Sequence, residues 1–136
     1  MSSLVQEVYQ DRTFNIMLSI YQTNSYSGPP KEKVMHLIED MPEYIARLIV
    51  SNGDRILNKH ERYSLYLPGG KLKETNRIDI SPYPNKDIVI FTEITDDTEK
   101  YYQYNFALSF SDMHELVEHL SLALDQPKMY KNVIFK

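Results

Sequence analysis

Apolar residues recur at every second position from Phe14, with Phe14, Ile16, Leu18 and Ile20 on one parity and Asn15, Met17, Ser19 and Tyr21 on the other. A period of two is strand geometry, so the pattern predicts a strand over residues 13–21 with one core face. Residues 4–9 precede it across Gln10-Asp11-Arg12, and predict either the other arm of a hairpin or a helical turn. Turn formers crowd residues 23–28, and Pro29-Pro30 then set φ for a first helical turn. From Lys31 the period changes. Val34, Leu37, Ile38 and Met41, then Tyr44, Ile45, Leu48 and Ile49, recur at helical spacing. Pro42 interrupts that stripe, which predicts a helix over about 31–40 followed by a kink or a second short helix over 43–50, closed at Asn52-Gly53. A β-hairpin turning at Asn52-Gly53 is the alternative, and periodicity favours the helix.

Downstream, residues 63–67 read as a short strand ended by Pro68-Gly69-Gly70, and residues 77–81 as another ended by Pro82 and Pro84. Residues 87–94 are apolar on both parities at Ile88, Val89, Ile90 and Phe91, the signature of a central strand. After an acidic linker over 96–100, Tyr102, Tyr104, Phe106, Leu108 and Phe110 alternate with Gln103, Asn105, Ala107 and Ser109, a strand with one aromatic face. A helix follows, capped by Ser111 or Asp112 with Glu115 three residues on, its stripe formed by Met113, Leu116, Val117, Leu120 and Leu124 and its stop by Gln126-Pro127. Val133-Ile134-Phe135 in the basic tail 128–136 form either a last strand or a loose end. The elements sum to an α+β fold: a mixed, mainly antiparallel sheet of about five strands, a helix near 31–50 and a C-terminal helix near 112–125. No internal repeat interrupts it.

Composition sharpens this picture. The 136 residues suit one domain, and 42% apolar with 25% charged residues suits a packed core. The longest apolar runs, such as Leu48-Ile49-Val50, are far shorter than the roughly 20 residues of a membrane span, and no leader pattern opens the chain. The expectation is an intracellular, cytoplasmic protein. No cysteine occurs, which removes disulfides, thiolate metal sites and cysteine nucleophiles.

Charge is uneven. The net charge of −4 argues against a nucleic-acid partner. Between positions 54 and 77 six basic residues, Arg55, Lys59, Arg62, Lys71, Lys73 and Arg77, outnumber three acidic ones. Between positions 93 and 125 eight acidic residues face a single lysine, Lys100, and Asp96, Asp97, Glu99, Glu115 and Glu118 belong to that stretch. Each region is a candidate docking surface for a charged protein partner, with two solvated faces as the plain alternative.

Candidate chemistry fails on spacing. His114 and His119 flank Glu115 and Glu118 like a helical zinc-protease motif, yet they stand five apart, about 140° around a helix from one another. Gly69-Gly70-Lys71 lacks the spaced glycines and the hydroxyl of a phosphate loop, and Asn52-Gly53-Asp54 lacks the alternating carboxylates of a calcium loop. The four histidines, His36, His60, His114 and His119, are scattered. The expectation is no catalytic residue, no metal and no cofactor. Eleven tyrosines without a tryptophan are the other unusual feature. Tyr102 and Tyr104 read as core, and Tyr26, Tyr83, Tyr101 and Tyr130, beside turn signals, as exposed anchors.

The order of hairpin (3–21), loop, Pro-opened helix (31–50), short strand (63–67), strand or turn (77–83) and strand (87–94) resembles a ubiquitin-like β-grasp. His60, Glu61, Arg62, Tyr63, Ser64, Leu65, Tyr66 and Leu67, running through to Asp87, Ile88, Val89, Ile90 and Phe91, are especially similar to its Ras-association and formin-type GTPase-binding branch. The resemblance spans about residues 1–94 and implies an adaptor that meets a GTPase through basic residues on its second strand. Residues 13–21 carry no charge, with Arg12 alone before them. Residues 104–110 and the amphipathic helix after them are instead similar to the close of PH-like domains of the EVH1 and Ran-binding type. Both resemblances imply protein-binding modules. The expected function is therefore a non-catalytic adaptor domain. A small acidic inhibitor or immunity protein blocking a basic active site is one alternative, and a protein that self-associates through an exposed edge such as 4–9 is another.

Overall fold

The computed structural model describes residues 12–21, 32–67, 76–95 and 103–126. Strand β1 (Thr13–Ile20) buries Phe14, Ile16, Leu18 and Ile20 and leaves the opposite parity half-buried, as the alternation predicts. Its antiparallel partner is β2 (Val34–Pro42). This overturns the helix expected over 31–40, and a bulge explains why the pattern misled. Ile16 pairs with Ile38 and Phe14 with Met41, so two steps on β1 match three on β2. Asp40 takes up the extra residue at a φ of 53°, and Asn15 Oδ1 accepts its N–H at 2.9 Å. The bulge shifts the parity of the strand by one. Ile38 and Met41 therefore both face the core at a spacing of three, which imitates a helical stripe.

Pro42 ends β2 and sits at the N-cap of α1 (Glu43–Ser51), which buries Ile45, Ala46 and Ile49. The short helix expected after the proline is thus present. Asn52 caps α1 by donating from its N–H and its side-chain amide to Leu48 O (3.1 and 2.8 Å). The chain then turns into α2 (Gly53–Leu57), so Asn52-Gly53 joins two helices and not two strands. An ideal Cβ on Gly53 would lie 3.0 Å from both γ-carbons of Val117, so the missing side chain lets α2 approach the last helix.

Four further strands form an antiparallel meander in the order β3 (Tyr63–Tyr66), β4 (Arg77–Tyr83), β5 (Ile88–Ile94) and β6 (Phe106–Ser109). β5 lies between two neighbours and buries Ile88, Val89 and Phe91, as expected of a central strand. Phe91 stacks on Phe106 at 4.8 Å between ring centroids. β6 is shorter than the strand expected over 102–110. Gln103 and Tyr104 form a turn before it, and Phe110 already belongs to helix α3 (Phe110–Leu124). The cap of α3 is Ser109, whose Oγ accepts the Asp112 N–H at 3.0 Å, in place of Ser111 or Asp112.

One bridge joins the two sheets. Tyr21 N–H donates to Ala107 O (2.9 Å) and Ala107 N–H to Tyr21 O (3.0 Å). The inner faces of both sheets, α1, α2 and α3 share one core containing Phe14, Ile38, Ile49, Ile80, Phe91, Phe106 and Leu120. The architecture is α+β, with six strands in sheets of two and four and three α-helices among the described residues, the last of them towards the C-terminus. The expected elements at 4–9 and 128–136 and the loop at 23–28 lie outside the described residues. Among those residues no helix is long and apolar enough to cross a membrane.

Candidate functional site: an acidic cleft beside the bulge

The bulge that breaks the helical pattern also helps build a cleft of about 410 Å³. The wall at one side is Glu39 and Asp40 of β2, followed by Pro42 and by Tyr44 and Ile45 of α1. Leu67 after β3 and Asn76 before β4 form the next side, and Leu67 N–H donates to Asn76 O at 2.8 Å to close that pair. Glu93 on β5 and Gln103 and Tyr104 before β6 complete it. No lysine or arginine is among these lining residues.

Backbone polar groups around the cleft are well occupied. Gln103 Oε1 accepts the Glu39 N–H (2.9 Å), Asn105 Oδ1 accepts the Glu93 N–H (3.1 Å), and Gln103 O lies 2.8 Å from His36 Nε2. These bonds pin the 103–105 turn across β2 and fix where Tyr104 stands. The carboxylates of Glu39 and Asp40 make no ion pair with any described residue. Burial first, then the negative charge of Glu93 and the neighbouring Tyr44, push the Tyr104 phenol far above the ordinary tyrosine value. Burial also raises Tyr44. Both rings are therefore neutral at physiological pH, with intact electron-rich faces.

The residues singled out from the sequence are scattered by comparison. Arg55 lies within α2, exposed, with Nε 3.4 Å from Glu61 Oε1. Lys59 and Arg62 are exposed on the segment that follows. Arg77 opens β4 half-buried, its Nε 3.0 Å from Asp79 Oδ1, which also accepts from Ser64 Oγ at 2.7 Å. Pairing thus neutralises two of the four described members of the basic set; Lys71 and Lys73 lie outside the described residues. Glu115 and Glu118 are exposed on α3, apart from the cleft, and Asp96, Asp97 and Glu99 lie outside the described residues. His114 is exposed and His119 half-buried on the same helix, and among the described residues no group of three or more His, Asp or Glu could hold a metal ion. Tyr83 is exposed, as its turn signals suggest, and so are Tyr44 and Tyr66. Tyr26, Tyr101, Tyr102 and Tyr130 lie outside the described residues.

Sequence reasoning counted Glu93 in the acidic stretch but missed Glu39, Asp40 and Tyr44, because the helical reading placed them on a continuous amphipathic surface. The adjacent acids at 39–40 just before a proline were the available signal. Comparison with protein-family models, curated proteins and solved structures finds no match to this chain. The cleft itself therefore carries the functional argument.

Proposed function

We propose that the chain is a non-catalytic protein-interaction domain whose partner is met through the acidic cleft. The observation that supports this reading is the convergence of Glu39, Asp40 and Glu93, from separate parts of the chain, on one concavity whose described lining residues include no lysine or arginine. Such a surface raises the local concentration of a basic partner and orients it on approach. The basic set is the weaker contact, because Arg55 and Arg77 already have acidic neighbours. The reading does not lean on the ubiquitin-like resemblance, since a strand stands where that resemblance puts the first half of its helix. An inhibitor of a basic active site would use the same acidic contact, and inhibition of the captured partner separates it from an adaptor. Affinity capture with the full chain tests the reading. The Glu39→Lys/Asp40→Lys variant loses the partner, whereas Arg55→Glu/Arg62→Glu keeps it; the reverse pattern overturns the cleft as the contact.

A second reading is favoured by one separate feature. β2 exposes Val34 (41%), Met35 (54%) and Leu37 (38%), and among the described residues it pairs with β1 alone. Open edges with apolar side chains template pairing with another copy. On that reading the mass measured by light scattering rises with concentration, and Leu37→Lys holds the chain monomeric.

A further inference from the structure

We infer that Asn52-Gly53 is a site of spontaneous deamidation which the folded chain holds shut, so that its conversion records opening of the junction between α1 and α2. The pair reads in the sequence as a stop or turn signal, and it lies outside the residues that line the cleft. In an open chain the Gly53 nitrogen, once deprotonated, attacks the side-chain carbonyl carbon of Asn52. A new C–N bond closes a cyclic imide while the bond to the amide nitrogen breaks, and that nitrogen leaves as ammonia, carrying the proton. Water then opens the imide at either carbonyl, which gives aspartate, or isoaspartate with one more methylene in the main chain. Glycine favours the attack because no side chain shields its nitrogen and its backbone turns freely.

Three features of the folded junction oppose that chemistry. Asn52 has a ψ of 3°, which nearly eclipses the Gly53 nitrogen with the nitrogen of Asn52 itself and turns it from the carbon it must reach. Rotating that peptide would break the bond from Ile56 N–H to Asn52 O (3.0 Å). The side chain is tied as well: Asn52 Nδ2 donates to Leu48 O at 2.8 Å, which holds the amide back over α1. Finally, Gly53 is buried, with the γ-carbons of Val117 at 3.0 Å from where a Cβ would stand. A peptide packed this closely rotates only when the junction loosens.

The products suit the junction less well than the amide. A carboxylate has no N–H for Leu48 O, and it sets a negative charge at the C-terminal, negative end of α1. Isoaspartate also lengthens the link between α1 and α2. A chain that opens and reacts therefore refolds with a weaker junction, and hydrolysis of the imide makes the change one-way.

The test follows the full chain over time at mildly alkaline pH, folded and in concentrated urea, beside a synthetic peptide of residues 48–55. Trypsin cuts after Arg47 and Arg55 and releases that same segment, in which Asn52 is the only asparagine. Mass spectrometry reads the amide becoming an acid, and chromatography separates aspartate from isoaspartate. The unfolded chain and the peptide convert at matching rates, and the folded chain converts at least about tenfold more slowly, because it reacts only from its open population. Val117→Ala, which removes the carbons packed on Gly53, speeds the folded chain severalfold and leaves the unfolded rate unchanged. Chain converted in urea and then refolded shows a lower urea midpoint than chain refolded at once. Equal rates for folded and unfolded chain would overturn the inference, as would an Asn52 that stays intact in urea while Asn58 or Asn85 converts, or an unaltered midpoint after conversion.

Discussion

Arg12 Nε donates to Glu43 Oε1 at 2.8 Å with the arginine only 3% exposed, and this one pair ties the start of β1 to the start of α1. The same guanidinium donates to Gln126 O (3.0 Å) and Leu124 O (3.2 Å), carbonyls at the end of α3 that have no helical partner. Its face lies 5.2 Å from the centroid of Phe14. Glu43 in turn engages Arg47 through its other oxygen at 2.7 Å, and its N–H donates to Arg12 O. One buried cation therefore holds three elements whose sequence positions span more than a hundred residues.

Truncation of Arg12 should accordingly be costly. Removing Arg12 takes the donor from the Leu124 and Gln126 carbonyls and from one oxygen of Glu43, whose other oxygen keeps Arg47, so the loss is expected near the lower end of the about 3–5 kcal/mol of a broken buried pair. Arg12→Ala is expected to lower the midpoint of urea unfolding by that equivalent. Arg12→Lys should fail to restore it, since a point charge cannot serve Glu43 and two carbonyls together. A midpoint within experimental error of the parent would show that the bond network is dispensable.

The bulge makes a sharper demand on residue type. Asp40 stands at a φ of 53°, where asparagine and glycine are tolerated and a β-branched residue is not. Asp40→Asn and Asp40→Gly are expected to retain stability within about 0.5 kcal/mol, and Asp40→Val to lose about 1–2 kcal/mol. Equal stability of the valine and asparagine variants would contradict a left-handed residue here.

That same bulge marks the limit of what the sequence makes legible. β1, α1 and α3 follow from local period, because each keeps one period throughout and faces one core, and β5 follows from its continuous apolar run. β2 does not: a parity shift inside a strand produces the three-residue spacing of a helix, and the signal that separates them, Asn15 reaching the Asp40 N–H, lies on another strand. The cleft was illegible for a related reason. Its acids come from positions 39, 40 and 93, and only the pairing of β2 with β1 and the turn before β6 bring them together. Arg12 reads as one charge before a neutral strand, and nothing local announces that it ends a helix more than a hundred residues away.

At Gly53 two effects oppose each other. Alanine in place of glycine gains up to about 1 kcal/mol of helix propensity, but its Cβ would press on Val117 at 3.0 Å, and overpacking costs about 1–3 kcal/mol. Gly53→Ala is expected to destabilise the parent chain. In a Val117→Ala background, where the obstructing γ-carbons are gone, the same substitution should stabilise. Thermal unfolding of the four chains of this cycle measures the reversal, and a Gly53→Ala effect of the same sign in both backgrounds would remove the steric explanation.

Lys33 illustrates how little a comparable pair contributes at the surface. Its Nζ lies 2.6 Å from Asp112 Oδ2, in the first turn of α3, with the lysine side chain 36% exposed. The hydrogen bond to Asp112 raises the lysine above its ordinary value of 10.5. Solvent screening keeps such a contribution below about 1 kcal/mol. Lys33→Met should cost no more than that at neutral pH, and the difference from the parent should shrink in high salt.

Tyr104 governs the alkaline limb of stability. In the folded chain burial, with Glu93 and Tyr44 adding to it, holds the phenol protonated well above its ordinary value of 10.0. Unfolding releases it to ionise near that value, so above about pH 10 the unfolded chain carries fewer protons than the folded one and stability falls as pH rises. The contribution is complete below pH 10 and is lost as pH climbs toward the folded value. Tyr104→Phe removes this linkage and deletes a hydroxyl that makes no hydrogen bond with any described residue. The variant should therefore match the parent in urea midpoint at pH 7 and exceed it at pH 11, with the gap widening as pH increases. Parallel stability curves for the two chains from pH 7 to 11 would mean that the phenol ionises as readily in the folded state as in the unfolded one.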